Sequence, residues 1–310
     1  LPWKQENYRS FSSYGKYTCF HRYHKEELKM KKGLSAVSLI CACTCVFLGG
    51  CGSSSDDSKL VVGLECNYAP FNWTEKAENE FTLPIANHAN QFADGYDIQI
   101  AKRLSADLGK PVVIMQTVWE SLISDLQAGT INCIIAGMTD TAERELSIDF
   151  TSEYYRSELV LVVKKDIADQ YSSPLTAKEF GDFIQGQYLV SQKSTVTDDV
   201  LESFASEYGA IHNTPVESFA LAAQDVASGS AFAMTAELPV ANSIVATDSA
   251  LGLVHMDQAI LGETQAELGV SIGLKKGSGM KDELNSSLAK ISQADRNQLM
   301  SEAVVRSSSL

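Results

Sequence analysis

Residues 97–136, DIQIAKRLSADLGKPVVIMQTVWESLISDLQAGTINCIIA, decide the fold. Apolar residues at 98, 101, 104 and 108 fall on one stripe at helical spacing, and Gly109-Lys110-Pro111 stops that helix. Val112 to Met115 is a β-branched strand, Trp119 to Leu126 a second amphipathic helix, and Ile131 to Ala136 a further strand. With Leu60-Val61-Val62-Gly63-Leu64 upstream, strands alternate with helices. That order predicts a parallel α/β sheet, because parallel neighbours need a crossover between them.

The same grammar returns further on. Tyr188 to Val190 reads as a strand, Val196 to Tyr208 as a helix, and Ala231 to Thr235 as a strand before a helix beginning near Leu238. Ser271 to Leu274 is a late strand, followed by closing helices at 280–291 and 296–304. If those last elements return to the first sheet, the chain crosses twice between two α/β lobes. The crevice between them is then the natural ligand site. We place one lobe at 59–156 and 270–310 and the other at 157–269; residues 74–94 fit neither pattern and read as an irregular hairpin insertion.

The beginning of the chain is an address. Lys29, Lys31 and Lys32 precede an uncharged apolar run that ends at Leu48-Gly49-Gly50-Cys51, and Met30 opens it with the spacing of a secretory signal. Residues 1–29 therefore read as sequence upstream of the true start, 30–50 as a signal peptide, and 51–58 as a polar tether. The apolar run is shorter than the roughly 20 residues a membrane span needs. Small residues before a cysteine resemble the lipobox of bacterial lipoproteins, which implies that Cys51 carries diacylglycerol. Cys19, His21 and His24 lie in the leader and Cys41, Cys43 and Cys45 in the apolar run, outside any folded frame that could hold a metal. No metal or cofactor is expected. In the mature body, Cys66 ends one strand and Cys133 begins its neighbour, a separation on the order of 10 Å that is too long for a disulfide.

Net charge is −14, although the first fifty residues are basic, so the body is strongly acidic. Nucleic acid is excluded as a partner on that ground, since phosphates need Lys and Arg; a cationic small ligand is favoured.

Tyr68-Ala69-Pro70-Phe71, Gly95-Tyr96-Asp97, Ala136-Gly137-Met138-Thr139 running to Arg144, Ile148-Asp149-Phe150-Thr151 and Tyr154-Tyr155 together resemble the polar-amino-acid class of bacterial extracellular solute-binding proteins, family 3. The resemblance runs from Leu60 to Arg306. It implies the two-lobed periplasmic-binding-protein fold of type II. It also implies a monomeric, lipid-anchored protein on the outer face of a single-membrane bacterium, handing a free L-amino acid to an ABC permease and its ATPase subunits.

An amino acid presents a carboxylate, an ammonium and a side chain, and a closed site must satisfy each. Arg144 offers a bidentate fork for the carboxylate, behind a helix entry at Asp140-Thr141-Ala142-Glu143 that reads as an N-cap and capping-box acid. Gly137 and Thr139 precede it and read with the helix start as an anion cradle. The resemblance implies that Ser194 and Thr195 close on the same carboxylate from the second lobe, that Glu237 takes the ammonium, and that Tyr68 and Trp119 flank the side chain. Glu65 would face its distal end. Two aromatic faces and a carboxylate suit a guanidinium, so arginine is favoured, with glutamine, histidine or cystine as alternatives. The rival from another class is an enzyme on the same scaffold, such as a cyclohexadienyl dehydratase. His212 and His255 read as isolated, and no acid–base pair stands beside the clamp.

If Cys51 carries lipid, labelled palmitate enters the protein in cells and Cys51→Ser abolishes both the label and membrane retention; an unchanged membrane fraction contradicts the lipobox.

Overall fold

The computed structural model describes residues 58–310. The leader, the signal-like run and Cys51 lie outside the described residues.

Two five-stranded sheets share one plan. In the first, the order is Val112–Gln116, Leu60–Leu64, Cys133–Ile134, Gly273–Lys275, Ile148–Phe150; in the second it is Ile211–His212, Tyr188–Val190, Ala233–Glu237, Leu159–Lys164, Leu251–Val254. The first three strands of each are parallel, and the fourth runs antiparallel to both its neighbours. That fourth strand is where the chain changes lobes. Tyr155–Arg156 pairs antiparallel with Gly269–Val270 in a two-stranded ladder of its own, and the chain leaves this ladder into Leu159–Lys164 in one direction and Gly273–Lys275 in the other.

Alternation along Leu159–Lys164 shows how the second sheet is sealed. Val160 and Val162 face the core shared with the first lobe, whereas Leu159, Leu161 and Val163 face a separate core with Phe180, Leu189 and Phe204. Both faces are covered, as a mostly apolar strand requires.

The segment expected as an irregular hairpin is more ordered than its composition suggests. Asn67–Tyr68, Asn72–Glu75, Phe92–Asp94 and Leu83–Pro84 form a small antiparallel sheet. Gly95 then turns the chain into the helix Tyr96–Leu108 at φ 136°, where a Cβ would lie 2.1 Å from the Phe71 carbonyl oxygen. Only glycine fits there. Cys66 and Cys133 are free and buried, and burial pushes both thiols up to about 12.

Three local expectations are corrected. Trp119–Ser121 is a 3₁₀ turn ahead of the helix Leu122–Ala128. The cap before Arg144 is Thr141, whose hydroxyl accepts from the Arg144 N–H, and not Asp140. His212 and His255 are not isolated: the first lies 2.8 Å from Asp198 and the second 3.2 Å from Glu158.

The last helix, Gln293–Ser307, touches both lobes. Ser307 bonds Ser243 of the second-lobe helix Leu238–Thr247 at 2.9 Å, while Arg306 forks onto Asp94 at 2.9 and 3.0 Å and lies over the Phe81 ring at 4.3 Å. Asp94 is 2% exposed, so removing its partner strands a buried carboxylate. Arg306→Ala is expected to lower the unfolding free energy by about 3–5 kcal/mol in urea denaturation; a loss under about 1 kcal/mol, the range of an exposed pair, contradicts that.

Candidate functional site

Strand ends of both sheets converge on the cleft. Glu65 follows Leu60–Leu64, Trp119 follows Val112–Gln116, and Thr139 follows Cys133–Ile134; Gln192 follows Tyr188–Val190, and Glu237 ends Ala233–Glu237. All sit at carboxyl ends, where open α/β sheets place their ligands. Glu65, Tyr68, Trp119, Gly137, Thr139, Arg144, Thr195 and Glu237 line one cavity. Ser194 does not. It lines the neighbouring groove with Arg144 and Asp199, and it offers the cleft its carbonyl rather than its hydroxyl.

The lobes are closed on each other by hydrogen bonds between these residues. The Ser194 carbonyl accepts from Arg144 Nη2 at 3.0 Å and from Trp119 Nε1 at 2.9 Å. Tyr68 donates to Glu237 at 2.7 Å, and Gln192 donates to Glu65 at 3.1 Å. Lys193 reaches across to Glu120 at 2.9 Å. The cavity inside holds about 20 Å³, room for roughly one water. A free amino acid enters only if the lobes part.

Arg144 is anchored from below as well. Its Nη1 donates to the Thr139 carbonyl and hydroxyl at 2.8 and 2.6 Å, and its guanidinium lies 5.2 Å from the Trp119 ring. Thr195 caps the helix Val196–Tyr208 by accepting from Asp198 N–H at 3.3 Å, and its own proton goes to the Gln192 carbonyl. Val196 and Thr197, the first residues of that helix, line the cavity, and a helix N-terminus favours an anion.

Two parts of the expected clamp are arranged differently. The Gly137 N–H donates to the Tyr154 hydroxyl at 2.9 Å, which in turn donates to Asp97 at 2.7 Å, so this amide is not open to a carboxylate. Gly137 instead permits close packing: at φ 62°, an added Cβ would lie 2.8 Å from the Tyr68 ring. Nor do Tyr68 and Trp119 form an open aromatic slot in the closed lobes. Tyr68 stacks on Phe71 at 5.1 Å and on Phe219 of the second lobe at 4.9 Å, while Arg144 covers Trp119.

Sequence reasoning missed Gln192 and Phe219. Gln192 stands after Tyr188–Val190, the first of the three parallel strands of the second sheet along the chain, as Glu65 stands after Leu60–Leu64 in the first sheet, so the internal repeat carried a sign of it. Phe219 opens the helix Phe219–Ser228 behind its cap Ser218, and nothing local distinguishes it from a core residue.

Carboxylates in this cleft are held toward their neutral forms. Burial raises Glu65 to about 7, partly offset by the Gln192 hydrogen bond. It raises Asp97 to about 7 against the bonds from Tyr154 and Asn72, and raises Glu237 against the bond from Tyr68. Among the described residues no group of three or more His, Cys, Asp or Glu is placed to hold a metal, and no helix is long and apolar enough to cross a membrane.

The sequence profile of bacterial extracellular solute-binding proteins, family 3, matches residues 60–303. The chain belongs to that family. The arginine-binding extracellular protein ArtP of Bacillus subtilis is 29% identical over 185 residues, 58% of this chain and 63% of ArtP, so the match spans just under two-thirds of that relative. The glutamine-binding protein GlnH of Bacillus subtilis is 24% identical over 293 residues, 86% of this chain and 94% of GlnH. The amino acid ABC transporter substrate-binding protein AbpA of Streptococcus pneumoniae, solved with L-arginine, shares the fold with a TM-score of 0.65 at 21% identity, covering 81% of this chain and 96% of its own.

In this family 3 member the raised carboxyls make a signed prediction. Folded Glu65 keeps its proton up to about pH 7, whereas its ordinary value is 4.5. The folded chain thus binds more protons over that window, and stability falls as pH rises through it. Glu65→Gln removes this part of the slope. Urea unfolding should find the variant matching wild type near pH 4 and exceeding it above pH 7 by on the order of 3 kcal/mol; identical pH slopes contradict the burial argument.

Proposed function

We propose that the chain binds one free L-amino acid between its lobes, with arginine preferred, and delivers it to an ABC permease from a lipid anchor at Cys51. The observation that carries this is the convergence of Arg144, Thr195, Glu237 and Glu65 on one cavity. On opening, Arg144 exchanges the Ser194 carbonyl for the ligand carboxylate, which the first turn of Val196–Tyr208 meets from the other lobe. Glu237 turns from the Tyr68 hydroxyl to the ammonium. Closure about the Tyr155–Arg156 and Gly269–Val270 ladder then seals the ligand from water.

Arginine is preferred because its guanidinium supplies the cation that Glu65 lacks. A buried carboxyl near neutral pKa ionises readily when a cation arrives. The same carboxyl in its protonated form accepts an amide, and the likeness to GlnH favours glutamine as the second reading. The names of the relatives are those of binding proteins, which supports transport over dehydratase chemistry.

Calorimetric titration of wild type, Arg144→Ala and Glu65→Gln with arginine and glutamine tests the assignment. Arg144→Ala should weaken either ligand by about 2–5 kcal/mol, and Glu65→Gln should cost arginine far more than glutamine. Unchanged affinity in the first variant, or equal losses in the second, contradicts the clamp or the ligand respectively.

A further inference from the structure

Beyond Glu65 the cleft continues into a second, larger chamber of about 750 Å³. Glu65, Trp119 and Gln192 line both spaces and form the partition between them. The far wall comes from the small antiparallel sheet and the loop beside it, through Thr74 and His88. Lys193 bridges Glu120 and Glu217 at 2.9 and 2.7 Å, and all three of these residues line the chamber.

Gln116 gives the chamber its chemistry. Its backbone is held by Asn87, which donates to the Gln116 carbonyl at 2.8 Å and accepts from its N–H at 3.0 Å. Its Nε2 donates to the Glu65 backbone carbonyl at 2.9 Å. Its Oε1 is buried and has no hydrogen-bond partner among the described residues. A buried acceptor left unpaired is destabilising, and a donor that reached it when the lobes part would satisfy it.

We propose that the insertion builds this chamber to extend the side-chain pocket. The cleft then takes cationic amino acids with side chains longer than arginine's, their terminal N–H groups passing Glu65 to end on Gln116 Oε1. This rests on the reading of the cleft as an amino-acid clamp. In a pocket that ended at Glu65, one extra methylene would be rejected by roughly 10–200-fold. Here it advances the guanidinium toward an acceptor that is waiting for it. Gln116 is on this account a specificity-determining residue, and the small sheet has a function rather than being a tolerated insertion.

The test is calorimetric titration of wild type and Gln116→Leu with L-arginine and L-homoarginine, with Arg144→Ala run beside them. Wild type should bind homoarginine within tenfold of arginine, and Gln116→Leu should weaken homoarginine at least tenfold more than arginine. Homoarginine weaker than arginine by more than tenfold, or losses in Gln116→Leu that do not favour arginine by that margin, overturns the chamber's role while leaving the clamp intact. Should Gln116→Leu fail to fold, the wild-type ratio decides alone. Absence of binding to either compound, or binding untouched by Arg144→Ala, overturns the clamp reading and this proposal with it.

Discussion

Arg144 and Trp119 of the first lobe both donate to the Ser194 carbonyl of the second, and the state of the cleft turns on that junction. A guanidinium fork engaged with a backbone oxygen cannot at the same time hold a carboxylate in that direction. The closed cleft is therefore stabilised by a contact of the kind a ligand carboxylate would make, with a neutral acceptor in place of a charged one. A carboxylate is the stronger partner, since it brings a full opposite charge and can accept both prongs of the guanidinium fork. Ser194 presents this carbonyl from a left-handed backbone conformation, φ 60°, which an ordinary residue adopts only when its surroundings hold it there.

A second constraint runs through the same space. Glu65, Asp97 and Glu237 are carboxyls carried into low dielectric; hydrogen bonds from neutral groups offset the burial of Glu65 and Asp97, and for Glu237 the Arg144 charge adds to the Tyr68 bond. Asp97 reaches the cleft indirectly, through the Tyr154 hydroxyl that fixes the Gly137 amide. Glu65 and Glu237 border the cavity itself, beside Tyr68 and Trp119. Glu65 has no cation offsetting its burial and Glu237 has only Arg144, so further positive charge is favoured at both. An amino acid with an ammonium at one end and a guanidinium at the other supplies it at both.

Much of this was legible in the sequence, and the reasons differ from element to element. The helix Val196–Tyr208 was read at its true limits because Thr195 caps it and its apolar spacing is clean. The repeated strand–helix order gave both parallel halves, and eight of the residues that the family resemblance named line one cavity. What escaped was whatever depends on partners distant in sequence. Phe219 on Tyr68, Gln192 on Glu65 and Arg306 on Asp94 are pairings that only the folded lobes create. The anion-cradle reading of Gly137 failed for a related reason, because its N–H was captured by Tyr154, seventeen residues away along the chain. The small sheet around residues 67–94 was hidden by its two- to four-residue strands, too short to show alternation.

The most direct test is a crystal structure with L-arginine bound. The account predicts the ligand carboxylate on Arg144 in place of the Ser194 carbonyl, the ammonium on Glu237, and the guanidinium beyond Tyr68 against Glu65. A ligand seated outside the cleft, or one inside it while Arg144 still holds Ser194, would contradict it.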